Sequence, residues 1–184
     1  MKLSDVDILV HPGLSGGSEA HWYTGWLRKF KNSQRVEQPD FEHPDKDIWI
    51  PNLVAAVEAC TRPVVIIGHS MGVITTVHAA PHFPKGQVIG AFLVAPGDEE
   101  CMAKTYPQCA EFSPIPNDPL PFPSVLVASR NDPHCSYETA ENMAYAWGSR
   151  VLDAGESGHL TPDSGHGPWP EGMMRFASFL SGLS

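Results

Sequence analysis

Positive charge is scarce in this chain: 184 residues include 12 lysines and arginines against 21 aspartates and glutamates, a formal net charge of −9. This balance argues against a nucleic-acid partner. No apolar run approaches the ~18 residues of a membrane span. The first ten residues contain Asp5 and Asp7 and lack the apolar core of a signal peptide. We therefore expect a cytoplasmic protein that does not insert into membranes.

Cysteine pairs and nucleotide-binding motifs are also missing. The four cysteines are Cys60, Cys101, Cys109 and Cys135. None forms a C-x-x-C pair, so we expect free thiols rather than disulfides or a metal site. The glycine-rich stretch after the first apolar run contains neither G-x-G-x-x-G nor a Walker pattern. No cofactor and no metal ion are predicted.

What the chain does contain is Gly-His-Ser-Met-Gly at residues 68–72, directly after the apolar run Pro-Val-Val-Ile-Ile. A segment typical of a helix follows it. Strand, Gly-x-Ser-x-Gly and helix together predict a nucleophile elbow, in which a sharp turn raises Ser70 above the end of the strand. The first N–H groups of the helix then point to the place where an oxyanion would form.

A serine nucleophile needs a base and an orienting acid, which follow it in the order acid, then histidine. Asp132 comes directly after the apolar run at 124–129, and His159 follows the short strand predicted at 149–153. We predict that His159 takes the Ser70 proton and that Asp132 holds the imidazole in place. Asp98 is the alternative acid, although Glu99 and Glu100 beside it favour a solvated turn. His166 is the alternative base, although it lies further from its strand.

The loop after the first strand, residues 11–18, is expected to complete the oxyanion hole. The backbone N–H groups of Leu14 and Met71 are the predicted donors. His11, Gly13 and His69 are further candidates for the pocket, because each lies beside one of these groups in the sequence.

Three aromatic or proline-rich features complete the candidate pocket. Trp22 and Trp26 are four residues apart on one helical face, and Trp22 could form a pocket wall instead of packing in the core. Trp169, near His166, could likewise form a pocket wall or pack in the core. Residues 95–123 contain seven prolines. Such a segment is too proline-rich for a regular helix and either covers the active site in part or forms a rigid surface connection.

Apolar strands and helical segments alternate along the chain, which predicts an α/β protein with a parallel sheet covered by helices on both faces. Strands are expected near 6–10, 34–38, 63–68, 88–94, 124–129 and 149–153. Helices are expected near 20–31, 46–60, 71–81, 136–147 and 171–181. Right-handed connections then give the strand order 2-1-3-4-5-6, within a single domain over residues 1–184. Ser70, Asp132, His159 and Leu14 all fall at the carboxyl edge of this sheet.

With these residues identified, the chain resembles the small serine hydrolases grouped with retinoblastoma-binding protein 9 and the bacterial YdeN-type proteins. The matching stretches cover nearly the whole chain: 11–14, 21–26, 35–40, 68–72, 93–96, 121–124, 129–133, 158–159 and 165–170. The resemblance implies a compact α/β-hydrolase without the first two strands of larger members. It also implies a triad of Ser70, Asp132 and His159. The Leu-x-Cys-x-Glu motif behind the retinoblastoma link has no match, since Pro107 replaces its leucine, and that partner is not expected.

The leading functional hypothesis is a serine hydrolase, with esterase-like activity foremost, that cleaves a small ester, thioester or amide through an acyl-Ser70 intermediate. Two alternatives remain open. One is a binding or scaffold protein that keeps a hydrolase fold, because fold alone does not establish activity. The other is an acyltransferase, since the same acyl-enzyme can react with an acceptor other than water.

Overall fold

Apolar strands and amphipathic helices alternate in the computed structural model of the protein, which describes residues 1–183. The strands are β1 (Asp7–His11), β2 (Ser33–Arg35), β3 (Val64–His69), β4 (Val88–Val94), β5 (Ser124–Ala128) and β6 (Arg150–Asp153). They form one parallel sheet in the order β2-β1-β3-β4-β5-β6. This confirms the strand order predicted from the sequence.

Six α-helices connect the strands or follow them. They are α1 (Trp22–Lys29), α2 (Lys46–Glu58), α3 (Met71–Ala79), α4 (Glu99–Lys104), α5 (Tyr137–Trp147) and α6 (Pro170–Gly182). Their ends carry the expected local signals. The Asp45 side chain caps α2, the Ser136 hydroxyl caps α5, and Gly148 ends α5 in a left-handed conformation. None of the helices within residues 1–183 is long and apolar enough to span a membrane.

The two faces of the sheet bury separate apolar clusters, because successive strand residues point to opposite sides. Val64 and Ile66 of β3 pack on the side covered by α2, α3 and α5. Val65 and Ile67 face the side covered by α1 and α6, where Trp26 and Phe176 pack with Phe92 of β4. Every residue of β3 is buried, which explains its continuous apolar sequence.

The register of the sheet brings the carboxyl ends of the central strands together. His11 of β1 lies opposite Gly68, and His69 of β3 lies opposite Val94. On the other side, Ala128 of β5 lies opposite Asp153 of β6. The loops that follow β1, β3, β5 and β6 therefore all leave the same edge, where parallel sheets commonly bind their ligands.

Part of the sequence interpretation of residues 95–123 was wrong. The stretch between Pro96 and Pro107 is free of proline and forms α4, followed by a 3₁₀ helix over Pro107–Phe112. Asp98 does not lie in a solvated turn. It caps α4, with its Oδ1 accepting a hydrogen bond from the Cys101 N–H at 2.7 Å. The acidic residues after it stabilise the positive end of that helix.

The second strand is also shorter than predicted. The sequence indicates 34–38, but β2 is Ser33–Arg35. The chain leaves the edge of the sheet here, and the side chain of Gln38 turns inward. Its Nε2 lies 3.1 Å from His11 Nε2 and donates to the Trp49 carbonyl at 3.0 Å. Local apolar patterning could not show that this glutamine is buried.

Candidate active site

Ser70 occupies a strained turn between β3 and α3. Its backbone angles are φ 55° and ψ −121°, a region that residues with side chains rarely adopt. A Cβ at Gly68 would lie 3.0 Å from the Gly72 carbonyl oxygen, and one at Gly72 would lie 2.1 Å from the His11 carbonyl oxygen. Gly72 therefore leaves no room for a side chain, and a side chain at Gly68 would be tightly crowded by backbone atoms. The turn leaves Ser70 at the end of the sheet, at the mouth of a cleft.

The side chains of Ser70, His159 and Asp132 form a continuous hydrogen-bonded chain. His159 Nε2 lies 2.9 Å from Ser70 Oγ. On the other side of the ring, Nδ1 lies 3.0 and 2.9 Å from the two carboxylate oxygens of Asp132. Because a carboxylate only accepts, Nδ1 carries the proton and Nε2 is free to accept one from the serine hydroxyl. The Asp132 side chain is 3% exposed and that of His159 is 12% exposed.

The loops that carry Asp132 and His159 are tied directly to each other. The Gly158 N–H donates to Asn131 Oδ1 at 2.7 Å, and the Ser157 N–H donates to Ser129 Oγ at 2.9 Å. The Arg130 N–H donates to the Gly155 carbonyl at 2.7 Å. These bonds restrain both loops in the relative position that the His159–Asp132 contact requires. Sequence analysis did not identify Ser129 or Asn131, although both lie within three residues of Asp132.

Two further histidines contact His159. His69 Nε2 donates to the His159 carbonyl at 3.0 Å, which links the nucleophile turn to the histidine loop. The His134 ring meets the His159 ring edge to face, with centroids 4.4 Å apart, and its Nδ1 lies 3.4 Å from Cys101 Sγ. Its backbone N–H donates to Asp132 Oδ1 at 2.9 Å. Sequence analysis did not identify His134, although it lies only two residues after Asp132.

The loop after β1 passes close to the nucleophile. A Cβ at Gly13 would lie 2.6 Å from Ser70 Cβ and 3.1 Å from Ser70 Oγ, so a larger residue would displace the serine. Leu14 follows in a short 3₁₀ turn whose shape is held by a hydrogen bond from the Ser15 N–H to the Phe41 carbonyl, at 3.0 Å. Leu14 and Met71 both line the cleft beside Ser70. Their assignment as the oxyanion hole stays a prediction.

The cleft around Ser70 has a volume of about 790 Å³. One wall comes from the proline-rich segment, through Gly97, Cys101, Met102, Tyr106, Gln108 and Cys109. The same segment buries Phe112, Ile115 and Phe122 in the core. Residues 95–123 therefore both bound the cleft and pack as a connection, so the two interpretations of this segment are compatible.

Four of the candidate pocket residues lie outside this cleft. Trp22 and Trp169 line a separate groove of about 690 Å³ between α1 and α6. Their rings pack on each other at 5.1 Å, and Trp22 Nε1 donates to the Leu160 carbonyl at 2.9 Å. His166 does not reach Ser70 either; its Nδ1 lies 3.4 Å from Ser164 Oγ and its ring lies beside Trp169. Gly13 and His69 do line the cleft.

The fourth, His11, is a buried structural residue. Its Nδ1 donates to the Pro12 carbonyl at 2.9 Å, and its Nε2 then accepts from Gln38 Nε2 at 3.1 Å. Each ring nitrogen is therefore satisfied in the neutral form. Complete burial lowers the pKa of His11 to about 4. His11 holds the end of β1 in place without entering the cleft.

Histidines in the cleft are also held neutral. Burial lowers the pKa of His21 to about 3 and, with His159 and His21 nearby, the pKa of His69 well below its usual range. Burial and the neighbouring His159 lower the pKa of His134. His21 is stacked on Tyr23 at 3.7 Å, and its Nδ1 has no hydrogen-bond partner within residues 1–183.

These lowered pKa values predict a loss of stability in mild acid. Between about pH 6.5 and 4 an unfolded chain protonates His11, His21 and His69, whereas the folded chain does not, so the free energy of unfolding falls as the pH falls. We expect His11 and His21 each to cost about 2 kcal/mol at about pH 5 relative to neutral pH, and His69 to act in the same direction. Urea denaturation of His21→Phe at both pH values should show a smaller loss than wild type. His82→Phe, at an exposed position, is the control; equal losses in all three proteins would contradict the prediction.

No group of three histidine, cysteine, aspartate or glutamate side chains within residues 1–183 is arranged to hold a metal ion. The four cysteines have free thiols. Burial raises the pKa of the Cys109 thiol to about 11 and also raises that of Cys101. Both thiols that line the cleft are therefore protonated at neutral pH. Ser70, in contrast, contacts a histidine that is itself held by a carboxylate, since His159 Nε2 lies 2.9 Å from Ser70 Oγ and its Nδ1 lies against Asp132.

Comparison with known proteins agrees with this architecture. The family model described as "Serine hydrolase" matches residues 8–178. A protein from Pectobacterium atrosepticum SCRI1043 described as a YdeN-like hydrolase is 34% identical, with a TM-score of 0.85 over 96% of this chain and 91% of that chain. No curated protein matches the sequence.

Two more distant structures share the fold. The ydeN product of Bacillus subtilis is 16% identical, with a TM-score of 0.76 over 95% of this chain and 98% of that chain. The esterase RhEst1 from Rhodococcus sp. ECU1013 is 12% identical, with a TM-score of 0.73 over 100% of this chain and 93% of that chain. The chain therefore belongs to the serine hydrolase family and is a YdeN-type small serine hydrolase with the α/β-hydrolase fold.

Proposed function

We propose that the protein hydrolyses a small ester, thioester or amide through an acyl-Ser70 intermediate. The observation that carries the proposal is the unbroken chain of hydrogen bonds from Ser70 Oγ through His159 to Asp132. A serine hydroxyl is a weak nucleophile until a neighbouring base accepts its proton, and this arrangement supplies that base in the required tautomer.

In the acylation step, Ser70 Oγ attacks the carbonyl carbon of the substrate while its proton moves to His159 Nε2. The C–O, C–S or C–N bond to the leaving group then breaks, and His159 returns the proton to the departing atom. In the second step water attacks the acyl-serine with His159 again as base, which releases the acid and restores Ser70. Asp132 stays ionised throughout and stabilises the imidazolium.

The negative charge that develops on the carbonyl oxygen needs donors close to Ser70. Met71 begins α3, so its N–H belongs to the unpaired first turn of that helix and lies at the positive end of the helix dipole. Leu14 lines the cleft on the other side of the serine, in the loop that Gly13 allows to approach it. The N–H groups of Leu14 and Met71 are the proposed oxyanion hole.

Esterase-like activity is the favoured specificity within this proposal. The cleft is bounded by a short helix and a 3₁₀ helix rather than a large inserted domain, and its volume of about 790 Å³ suits a small substrate. The complete hydrogen-bonded set of Ser70, His159 and Asp132 argues against a purely binding role, because a binding protein has no use for that alignment.

A fluorophosphonate probe tests whether Ser70 is activated and which histidine activates it. We expect the probe to label wild type and His166→Ala, and to fail on Ser70→Ala and His159→Ala under the same conditions. Circular dichroism of each variant serves as the folding control. Labelling of His159→Ala at the wild-type rate would reject His159 as the base, and labelling of Ser70→Ala would reject Ser70 as the nucleophile.

A further inference from the structure

The fixed charges around the Ser70 cleft are of one sign. Two exposed carboxylates, Glu42 and Asp163, line it, and no lysine or arginine within residues 1–183 does. Glu42 adjoins the turn beside Leu14, through the bond between Phe41 and Ser15. Asp163 belongs to the 3₁₀ turn that follows His159. The two carboxylates therefore lie on segments that adjoin the reacting groups.

Five other titratable side chains in the cleft do not offset this charge. His21, His69 and His134 are held neutral by burial and by one another, as described above. Burial raises the pKa of Tyr23 and of Cys101, so both stay protonated and uncharged. The fixed charges that line the cleft are therefore those of the two carboxylates, Glu42 and Asp163.

Most basic side chains on neighbouring segments pair with carboxylates elsewhere. The exception in part is Arg35, whose guanidinium lies 4.7 Å from the centre of the Phe41 ring and whose Nε has no hydrogen-bond partner within residues 1–183. The ion pairs are Arg28–Glu19, Arg35–Glu37, Lys104–Glu100 and Arg130–Asp153. No ion pair within residues 1–183 includes Glu42 or Asp163. These two carboxylates are thus free to interact with a ligand.

A second feature, the Tyr23 hydroxyl, also points to a polar ligand. Tyr23 lines the cleft but is only 1% exposed, and its ring is fixed between His21 and Trp22. Its hydroxyl makes no side-chain hydrogen bond within residues 1–183, and its oxygen lies against Gly17, which also lines the cleft. Gly17 leaves room for it, since a Cβ there would lie 1.8 Å from that oxygen. A buried hydroxyl facing the cleft offers a ligand an acceptor.

We infer that the cleft selects substrates whose leaving group carries a positive charge, an alcohol, thiol or amine bearing an ammonium group, and disfavours anionic ones. This inference rests on the proposed function. His159 must protonate the leaving group, so the leaving group lies beside the histidine loop, and the turn that follows this loop carries Asp163. Clefts lined by one sign of charge concentrate ligands of the opposite sign and raise their association rates.

Three thioesters that differ in one charge test the inference. The first is S-butyrylthiocholine, the second is its isostere in which a carbon atom replaces the ammonium nitrogen, and the third is the analogue that ends in a sulfonate. We expect kcat/KM to fall in that order, with the cationic thioester about tenfold better than the neutral one at low ionic strength. Salt near 1 M should bring that ratio close to one, because it screens exposed charges. Released thiol is measured in quenched aliquots.

The double variant Glu42→Gln/Asp163→Asn should lower the cationic-to-neutral ratio of kcat/KM to within about twofold. Asp118→Asn/Glu141→Gln removes the same charge from exposed positions outside the cleft and should keep the wild-type ratio. If the neutral thioester is hydrolysed as fast as the cationic one at low salt, or if both double variants behave alike, the inference is wrong while the hydrolase function stands. If Ser70→Ala hydrolyses the thioesters like wild type, the proposed function itself fails.

Discussion

Ser70→Ala is expected to lower kcat for ester hydrolysis by about 10⁵-fold or more, the size of loss seen when a serine of such a triad is removed. The physical reason is that the side chain supplies the bond-forming atom, and neither cysteine in the cleft can replace it. Both Cys101 and Cys109 have raised pKa values and stay protonated. The assay is hydrolysis of p-nitrophenyl acetate at saturating substrate.

A comparison of Ser70→Ala with Ser70→Gly separates chemistry from backbone strain. Both variants lack the hydroxyl and should lack activity. However, the backbone angles of Ser70 favour glycine, and a residue with a side chain in such a region stores about 1–3 kcal/mol. Glycine relieves this strain, but part of the gain in stability is lost because glycine makes the unfolded chain more flexible. We therefore expect Ser70→Gly to unfold at higher urea concentration than Ser70→Ala, by about 1 kcal/mol of unfolding free energy.

Two outcomes would contradict this interpretation. If Ser70→Ala retains activity within about tenfold of wild type, another group carries the chemistry, because removal of a triad serine causes a far larger loss. Equal stability of the two variants would mean that the turn at Ser70 is not strained. If both expectations hold, the serine is retained at a cost to stability, which is the usual relation between an active site and the fold that holds it.

The order of the strands and the edge that bears the site could be predicted because they follow from short-range patterns. The apolar runs at 63–68 and 124–129 predict buried strands, and parallel strands joined by helices have their carboxyl ends at the same edge of the sheet. From there, the positions of Ser70, Asp132 and His159 after successive strands were enough to expect them at one edge. The structure brings these three side chains within hydrogen-bond distance.

Side-chain direction was harder to predict. The spacing of Trp22 and Trp26 correctly indicates a shared helical face, but it does not say whether that face meets the cleft or the sheet. The face packs on the side of the sheet covered by α6, against Trp169 and Phe176. Which side of the sheet a helix covers depends on contacts with residues more than a hundred positions away, and a local pattern carries no information on those contacts.

Contacts between loops were missed for a related reason. His134 meets both His159 and Cys101, and these belong to three segments separated in sequence. No motif or periodicity connects them; only the convergence of strand ends does. The same holds for Asn131, whose side chain fixes the histidine loop through Gly158. Residues that contact His159 or fix its loop were therefore less predictable than the residues proposed to carry the reaction.

Gly72→Ala, which adds a single methyl group, is expected to destabilise the protein strongly. The added Cβ would lie 2.1 Å from the His11 carbonyl oxygen and 2.8 Å from the Pro12 carbonyl oxygen. Both obstacles are backbone atoms at the end of β1, a central strand, and cannot move aside as a flexible side chain would. Overpacking of a well-packed core typically costs about 1–3 kcal/mol, and because the obstacles here are backbone atoms we expect the free energy of unfolding to fall by about 3 kcal/mol, the upper end of that range.

Gly25→Ala provides the matched control. It is also a glycine within a helix, but a Cβ there meets no atom within 4 Å. Because alanine favours helix more than glycine, this variant should gain about 0.5–1 kcal/mol. Thermal and urea unfolding of both variants give the comparison. A Gly72→Ala protein as stable as wild type would show that α3 can move away from β1 without cost.

The same variant tests how closely the site depends on the contact between β1 and α3. Gly72 lies two residues after Ser70, and the strand it touches leads into Gly13 and Leu14, the proposed oxyanion loop. If α3 shifts to accommodate the methyl group, Ser70 and that loop separate. A displacement of about 1 Å can cost roughly 10²-fold in rate. We therefore expect the folded fraction of Gly72→Ala, measured by active-site titration, to turn over ester about 10²-fold more slowly than Gly25→Ala.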